Sequence, residues 1–212
     1  MARWSDIERG LRAGGARLIA GVDEVGRGPL AGPVVACAVV MPEGRRAIAG
    51  VADSKTLRSA ERERLAVLIC ARAVAFALGA ASVREIGRLN VYQATALAMR
   101  RALARLALRD VHPDAVLVDG RPIRTLGVVH QAVVDGDARC YSVACASIVA
   151  KVTRDRLMQR LDRRYPSYGW SVNAGYGTPG HLAALRAAGL SVHHRVLFCR
   201  TALEEQLEFR TD

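Results

Sequence analysis

Asp23 and Glu24 stand side by side at the end of an apolar run, Leu18-Ile19-Ala20-Gly21-Val22, and Gly26-Arg27-Gly28 follows them. The run reads as a short buried strand. Two acids at the end of such a strand need a partner, because an unpaired buried carboxylate is costly. A divalent cation would supply one. The glycines let the backbone come close to a ligand, and Arg27 offers charge to a phosphate. Two further apolar runs also end on acids: Ala115-Val116-Leu117-Val118 on Asp119, and Leu126 to Val134 on Asp135 or Asp137. Strand ends on one edge of a sheet converge in space. Converging acids in a basic chain fit two-metal phosphodiester chemistry, in which ions roughly 3.5–4 Å apart activate water and steady the leaving oxygen. Each acid alone is ordinary turn chemistry; the conjunction carries the reading. Neighbours in a regular strand point to opposite faces. Either the strand distorts at Asp23-Glu24, or Glu24 reaches the metals less directly.

The elements that must position these acids follow from hydrophobic pattern and punctuation. Residues 1–17 read as a short amphipathic helix ending at Gly14-Gly15, and 18–41 as a β-hairpin whose second strand is the run Pro33 to Met41. A loop through Asp53-Ser54-Lys55 leads to a helix starting near Ser59, with Glu61 and Glu63 in its first turn. Ala73 to Gly79 reads as a third strand. Asn90 then caps a long Ala/Leu/Arg helix reaching about Arg109. A further helix, from about Val143 to Arg164, carries an apolar stripe at Cys145, Ile148, Val149 and Val152. The aromatic, Gly-rich segment 165–177 reads as a loop in which Trp170 packs. Thr178, Pro179 and Gly189 bound a last clear helix, and 190–212 is a charged tail. No repeat or linker divides the chain, which reads as one α/β domain.

Composition bounds the possibilities. At 212 residues and 51 % hydrophobic content, the chain can bury one sizeable core. Mean hydropathy is +0.12, and no apolar run approaches the ~20 residues of a membrane span. The charged N-terminus does not resemble a signal peptide, so a soluble cytoplasmic protein is expected. The five cysteines form no Cys-x-x-Cys pair, which argues for reduced, buried thiols over zinc or disulfides. Net charge is +11, which suits a polyanionic partner such as nucleic acid. Only Lys55 and Lys151 are lysines, and both lie in segments singled out here. Lys151 and Asp155, four apart, are spaced for a helix-surface ion pair. Arg154, Arg156, Arg160, Arg163 and Arg164 either track a duplex backbone or form a solvated face. His193-His194 lacks metal-ligand spacing to the acids. Gly26-x-Gly28-x-x-x-Gly32 misses the dinucleotide fingerprint by one spacing and precedes a strand.

Five blocks together resemble bacterial ribonuclease HII, the type 2 ribonuclease H family. They are Asp23-Glu24-Val25-Gly26-Arg27-Gly28, Asp53-Ser54-Lys55, Val118-Asp119-Gly120, Ala146 to Asp155, and Gly175-Tyr176. They run in the family's order over about residues 18–195. The resemblance implies a ribonuclease H-like α/β fold: a mixed central β-sheet flanked by helices, with a helical C-terminal extension. It divides the chain into an N-terminal helical segment (1–17), a catalytic domain (18–190) and a tail (191–212) packed on or extending that domain. It implies hydrolysis of RNA in RNA–DNA hybrids and incision of DNA duplexes 5′ of an embedded ribonucleotide, leaving 3′-hydroxyl and 5′-phosphate ends. Two Mg²⁺ or Mn²⁺ ions would sit on Asp23, Glu24, Asp119 and Asp137. Gly26, Arg27 and Gly28 would read the ribose 2′-hydroxyl, and Tyr176 would pack on the following deoxyribose. Ser54, Lys55, Ser147 and Lys151 fall where the family contacts phosphate or braces the site, and Asp155 would brace. A monomer suffices.

The chain departs from the family pattern in three places. Asp135 stands where lysine is usual, and either raises the demand for metal or faces solvent. Asn173-Ala174 replace a His-Lys pair and Gly177 a common proline. Cys199-Arg200 departs from a Ser-Phe-Gly-Pro ending. A non-catalytic hybrid-binding module would lack an acid, and all four are present. A DNA-only nuclease of the same broad fold has no use for a 2′-hydroxyl reader.

Overall fold

The structure, a computed structural model, describes residues 6–208. Its centre is a five-stranded mixed sheet in the order β3-β2-β1-β4-β5: β1 Ile19–Val25, β2 Val34–Val40, β3 Ala75–Ala81, β4 Ala115–Asp119 and β5 Gln131–Val133. β1 pairs antiparallel with β2, and β2 with β3; β1–β4 and β4–β5 are parallel. The C-terminal ends of β1, β4 and β5 therefore share one edge, the edge at which open parallel sheets present ligand sites.

Alternation along β2 builds two core layers. Val34, Ala36, Ala38 and Val40 face helix α4 (Val91–Ala107), whose Ala94, Ala98, Met99 and Ala102 complete that layer. Cys37 and Val39 face the opposite way, against α2 (Ser59–Arg72) and α6 (Tyr141–Arg164). The stripe Cys145, Ile148, Val149 and Val152 is buried there as expected. Helix α6 lies close on β1 because Gly21 has no side chain; a Cβ there would lie 2.2 Å from the Ser142 carbonyl carbon. Its first turn is capped from outside. Glu8, on α1 (Asp6–Ala13), accepts from the Tyr141 and Ser142 amides at 3.2 and 3.0 Å, which satisfies N–H groups a helix start leaves open.

Several boundaries differ from the sequence reading. The strand expected over 126–134 is only Gln131–Val133. Gly127 turns the chain at φ +79, and the His130 ring accepts from the Ile123 amide at 3.1 Å, so this stretch forms a turn that buries Leu126. The third strand sits two residues later than expected, because Ala73 closes α2 and Val74 is 51 % exposed. Helix α6 begins at Tyr141, and α3 (Val83–Leu89) and α5 (Gly136–Arg139) were not anticipated. Ser82 and Glu85 cap α3 reciprocally, a signature present in the sequence. The aromatic segment 165–177 holds a 3₁₀ turn, Pro166–Tyr168, and the short helix α7, Trp170–Asn173. Trp170 packs fully buried. Thr178 and Pro179 open α8 (Pro179–Ala188) as expected, and the tail carries α9 (Val196–Glu208). Residues 1–5 and 209–212 of the two terminal segments lie outside the described residues. Cys37, Cys140, Cys145 and Cys199 are buried thiols and Cys70 is partly exposed.

Candidate active site

The parallel ladder places the first two acids together. Its last paired residues in β1 and β4 are Val22 and Val118, so Asp23 and Asp119 each come one step later, at neighbouring strand ends. Asp119 pairs with Val133 of β5, and its Oδ1 accepts from the Gly136 amide at 2.7 Å. Asp135 turns the chain into α5 with φ 54, which carries Asp137 inward, 5 % exposed, and leaves Asp135 facing solvent.

Asp23, Glu24, Gly26, Arg27, Gly28, Ser54, Lys55, Asp119, Ser147, Lys151 and Tyr176 all line one cleft of about 480 Å³. Asp137 stands outside that lining and reaches the cleft through Lys55, whose Nζ is 3.5 Å from its carboxylate. Pairing of β1 with β2 continues unbroken through Glu24 and Val25. The strand does not distort; the Glu24 carboxylate is instead held by Arg27 at 3.1 Å. Ser54 and Ser147, both buried, share a 2.8 Å hydrogen bond that ties the Asp53-Ser54-Lys55 loop to α6. Lys151 pairs with Asp155 at 2.7 Å. Arg62, which the sequence did not single out, also lines the cleft and donates to the Ser54 carbonyl at 3.1 Å.

The electrostatics are those of buried acids that repel one another. Burial raises the Asp23 carboxyl well above its usual range, and the charges of Glu24 and Asp119 add to this against hydrogen bonds from Ser147 and the Glu24 amide. Burial also raises Glu24, opposed by Arg27. Asp137 is raised by burial and Asp53, opposed by Lys55. Lys55 is drawn down by burial, but Asp137, Asp53 and Asp23 together leave it raised. Among the described residues no three His, Cys, Asp or Glu side chains are already gathered to hold an ion, since each acid is turned to a protein partner. The donor chemistry nevertheless fits a hard divalent cation: carboxylate oxygens, partly desolvated, mutually repelling and incompletely neutralised.

Tyr176, 46 % exposed, stands across from the Gly26-Arg27-Gly28 turn; a Cβ on Gly28 would lie 3.8 Å from its ring. Its carbonyl accepts from His181 Nδ1 at 2.8 Å. Arg154, which the sequence placed with the surface arginines, is fully buried behind the turn. Arg195, unremarked in the sequence, is buried beside it.

A family model described as ribonuclease HII matches residues 20–201. Ribonuclease HII of Granulibacter bethesdensis is 55 % identical over 88 % of this chain and 84 % of its own length. That of Paracoccus denitrificans is 52 % identical over 92 % of each. The crystal structure of ribonuclease H2 from Pyrococcus horikoshii superposes with a TM-score of 0.73 at 28 % identity, covering 92 % of this chain and all of that one. A mixed sheet with acids at its shared edge and a match over nearly the whole chain agree: this chain belongs to the ribonuclease HII family and is a metal-dependent endonuclease that hydrolyses the RNA strand of RNA–DNA hybrids.

Proposed function

We propose that the enzyme also incises DNA duplexes on the 5′ side of an embedded ribonucleotide, leaving 3′-hydroxyl and 5′-phosphate ends. The observation that carries this reading is the placement of the Gly26-Arg27-Gly28 turn and Tyr176 on the same cleft as Asp23, Glu24 and Asp119. An all-RNA strand offers a 2′-hydroxyl at every step. A single ribonucleotide offers one, and must be found by a backbone close enough to touch it. Gly26 and Gly28 permit that approach, and the Tyr176 ring opposite them suits the apolar face of the next deoxyribose.

Asp23, Glu24, Asp119 and Asp137 would hold two Mg²⁺ or Mn²⁺ ions with substrate present. Such ions, when bound, activate water for in-line attack and stabilise the leaving oxygen. Asp23 supplies the most desolvated carboxylate, and Ser147 and the Glu24 amide hold it in place. Lys55, Lys151 and Arg62 put positive charge along the cleft for the phosphates flanking the scissile bond. Release of Glu24 from Arg27 frees one charge for metal and the other for phosphate. The partners are RNA–DNA hybrids and ribonucleotide-containing duplexes, the working unit is a monomer and its location is the cytoplasm. Among the described residues no helix is long and apolar enough to cross a membrane.

An end-labelled DNA duplex carrying one ribonucleotide tests the reading. A single cut 5′ of the ribonucleotide is expected with Mg²⁺ or Mn²⁺, with none in EDTA and none in all-DNA. Cleavage of long hybrids but not of this duplex would refute it.

A further inference from the structure

Two buried guanidinium groups lie behind the Gly26-Arg27-Gly28 turn. Arg154 is 0 % and Arg195 3 % exposed. A buried arginine ordinarily meets a carboxylate, yet among the described residues neither joins an ion pair. Both direct their donors at backbone carbonyls. Arg195 donates to Gly26 O at 2.5 Å, Arg27 O at 2.7 Å, and Gly32 O at 2.8 and 3.0 Å. Arg154 donates to Pro33 O at 3.1 Å, Ala174 O at 2.9 Å and Ala31 O at 3.0 Å. Burial, then the charge of Arg154, lowers Arg195 to about 9, which leaves it protonated at neutral pH.

The geometry of the turn follows. In a planar trans peptide the N–H points opposite to the C=O, and the described chain has no cis peptide. With the Gly26 and Arg27 carbonyls drawn inward to Arg195, the N–H groups of Arg27 and Gly28 point away from it, and both residues line the cleft. Arg154 fixes the other end of the same unit. A Cβ at position 26 would lie 2.1 Å from its Nε, and its bond to Ala174 O anchors the segment leading to Tyr176. The Leu30 amide adds a 2.8 Å bond to Gly175 O.

We propose that Arg195 is a positioning residue for ribose recognition. It sets two peptide planes so that the Arg27 and Gly28 amides face the 2′-hydroxyl, while Arg154 ties this unit to the Tyr176 segment. The inference rests on the ribose-reading role proposed above for the turn. A group that aims donors at one hydroxyl governs preference for ribose; a group that merely holds the fold together governs affinity for every duplex alike.

The test measures dissociation constants in EDTA, by fluorescence anisotropy, for a duplex with one ribonucleotide and for its all-DNA counterpart. Wild type should favour the first. Arg195→Lys keeps the charge but loses the fork that spans several carbonyls. It should reduce the preference about tenfold, roughly the worth of one to two hydrogen bonds, with all-DNA affinity unchanged. Retained preference, or equal weakening on both duplexes, overturns the proposal while leaving the turn's role standing. A wild type without preference overturns that role and the proposal with it. Should the variant fail to fold, ¹⁵N spectra of the wild type decide. The Arg27 and Gly28 amides should shift with the ribonucleotide duplex and not with all-DNA; unmoved resonances overturn the proposal.

Discussion

Asp23 is the most strongly perturbed carboxyl of the candidate site. It is 5 % exposed, and burial together with two neighbouring acids raises its pKa. An acid whose pKa is raised on folding binds its proton more tightly folded than unfolded, so its ionised form costs stability at every pH above that range. Asp23→Asn should remove that cost and, on the metal-holding role proposed for it, the activity. Cleavage of hybrids should fall by at least three orders of magnitude, a barrier increase of about 4 kcal/mol. The metal-free variant should meanwhile melt roughly 2–4 °C higher at pH 7.5, the equivalent of about 1 kcal/mol in a chain of this size. Steady-state kinetics and thermal unfolding in EDTA check both halves. A lower melting temperature would show that the site's negative charge is not the source of strain. At this scale much of the site was legible, since Asp23, Glu24 and Asp119 end apolar runs. Arg154 and Arg195 were not: arginine gives no sequence signal that separates a buried carbonyl-binding role from a solvated one.

At the scale of elements, α7, α8 and the stretch before α9 form a buried ring cluster under Tyr176. Indole nitrogen only donates, so Trp170 Nε1–H, 3.1 Å away, requires His181 Nε2 to accept. His181 then carries its proton on Nδ1, toward the Tyr176 carbonyl. His194 Nε2, 3.0 Å from His181 Nε2, must donate, which leaves its Nδ1 to accept from the Ser191 amide at 2.9 Å. Both rings are neutral. Burial and then His181 lower His194 from 6.5 to about 4, and burial lowers His181. A histidine with a depressed folded pKa contributes stability that is full above about 6.5 and is lost as pH falls toward 4. The protein should lose about 2 kcal/mol across that window from this pair alone, discounted for residual solvent screening. His194→Gln should flatten the slope in denaturant unfolding measured from pH 7.5 to 4.5. An unchanged slope would place the acid sensitivity elsewhere. The caps of α4 and α8 were readable because each is a local pattern of three or four residues; the Ser82–Glu85 cap of α3 is as local but was not read. The ring cluster was not, since it joins side chains 11 to 24 positions apart.

Across the whole molecule, the net charge of +11 and the Lys55, Lys151 and Arg62 lining predict which terms of binding respond to salt. Phosphate contacts release counterions, so hybrid affinity should fall at least tenfold between about 50 and 200 mM salt. The ratio between ribonucleotide-containing and all-DNA duplexes should move far less, because the 2′-hydroxyl is uncharged. Anisotropy titrations at several salt concentrations separate the two terms. A ratio that collapses with salt would assign discrimination to phosphate geometry.

The sequence by itself pointed to the architecture, and its motif blocks pointed to the family. Acids ending apolar runs, a Gly-Arg-Gly turn and alternating strand and helix patterns are local features, and local physics makes them readable. Tertiary structure alone decided how those parts act together. It put Asp137 behind Lys55 and left Asp135 in solvent through a left-handed turn. It held Glu24 on Arg27, and shortened the fifth strand where Gly127 and His130 close a turn. It also set two buried arginines, 41 residues apart in the chain, behind the cleft. Contacts of that kind depend on which elements meet across the sheet edge, and the identity of either partner alone does not reveal them.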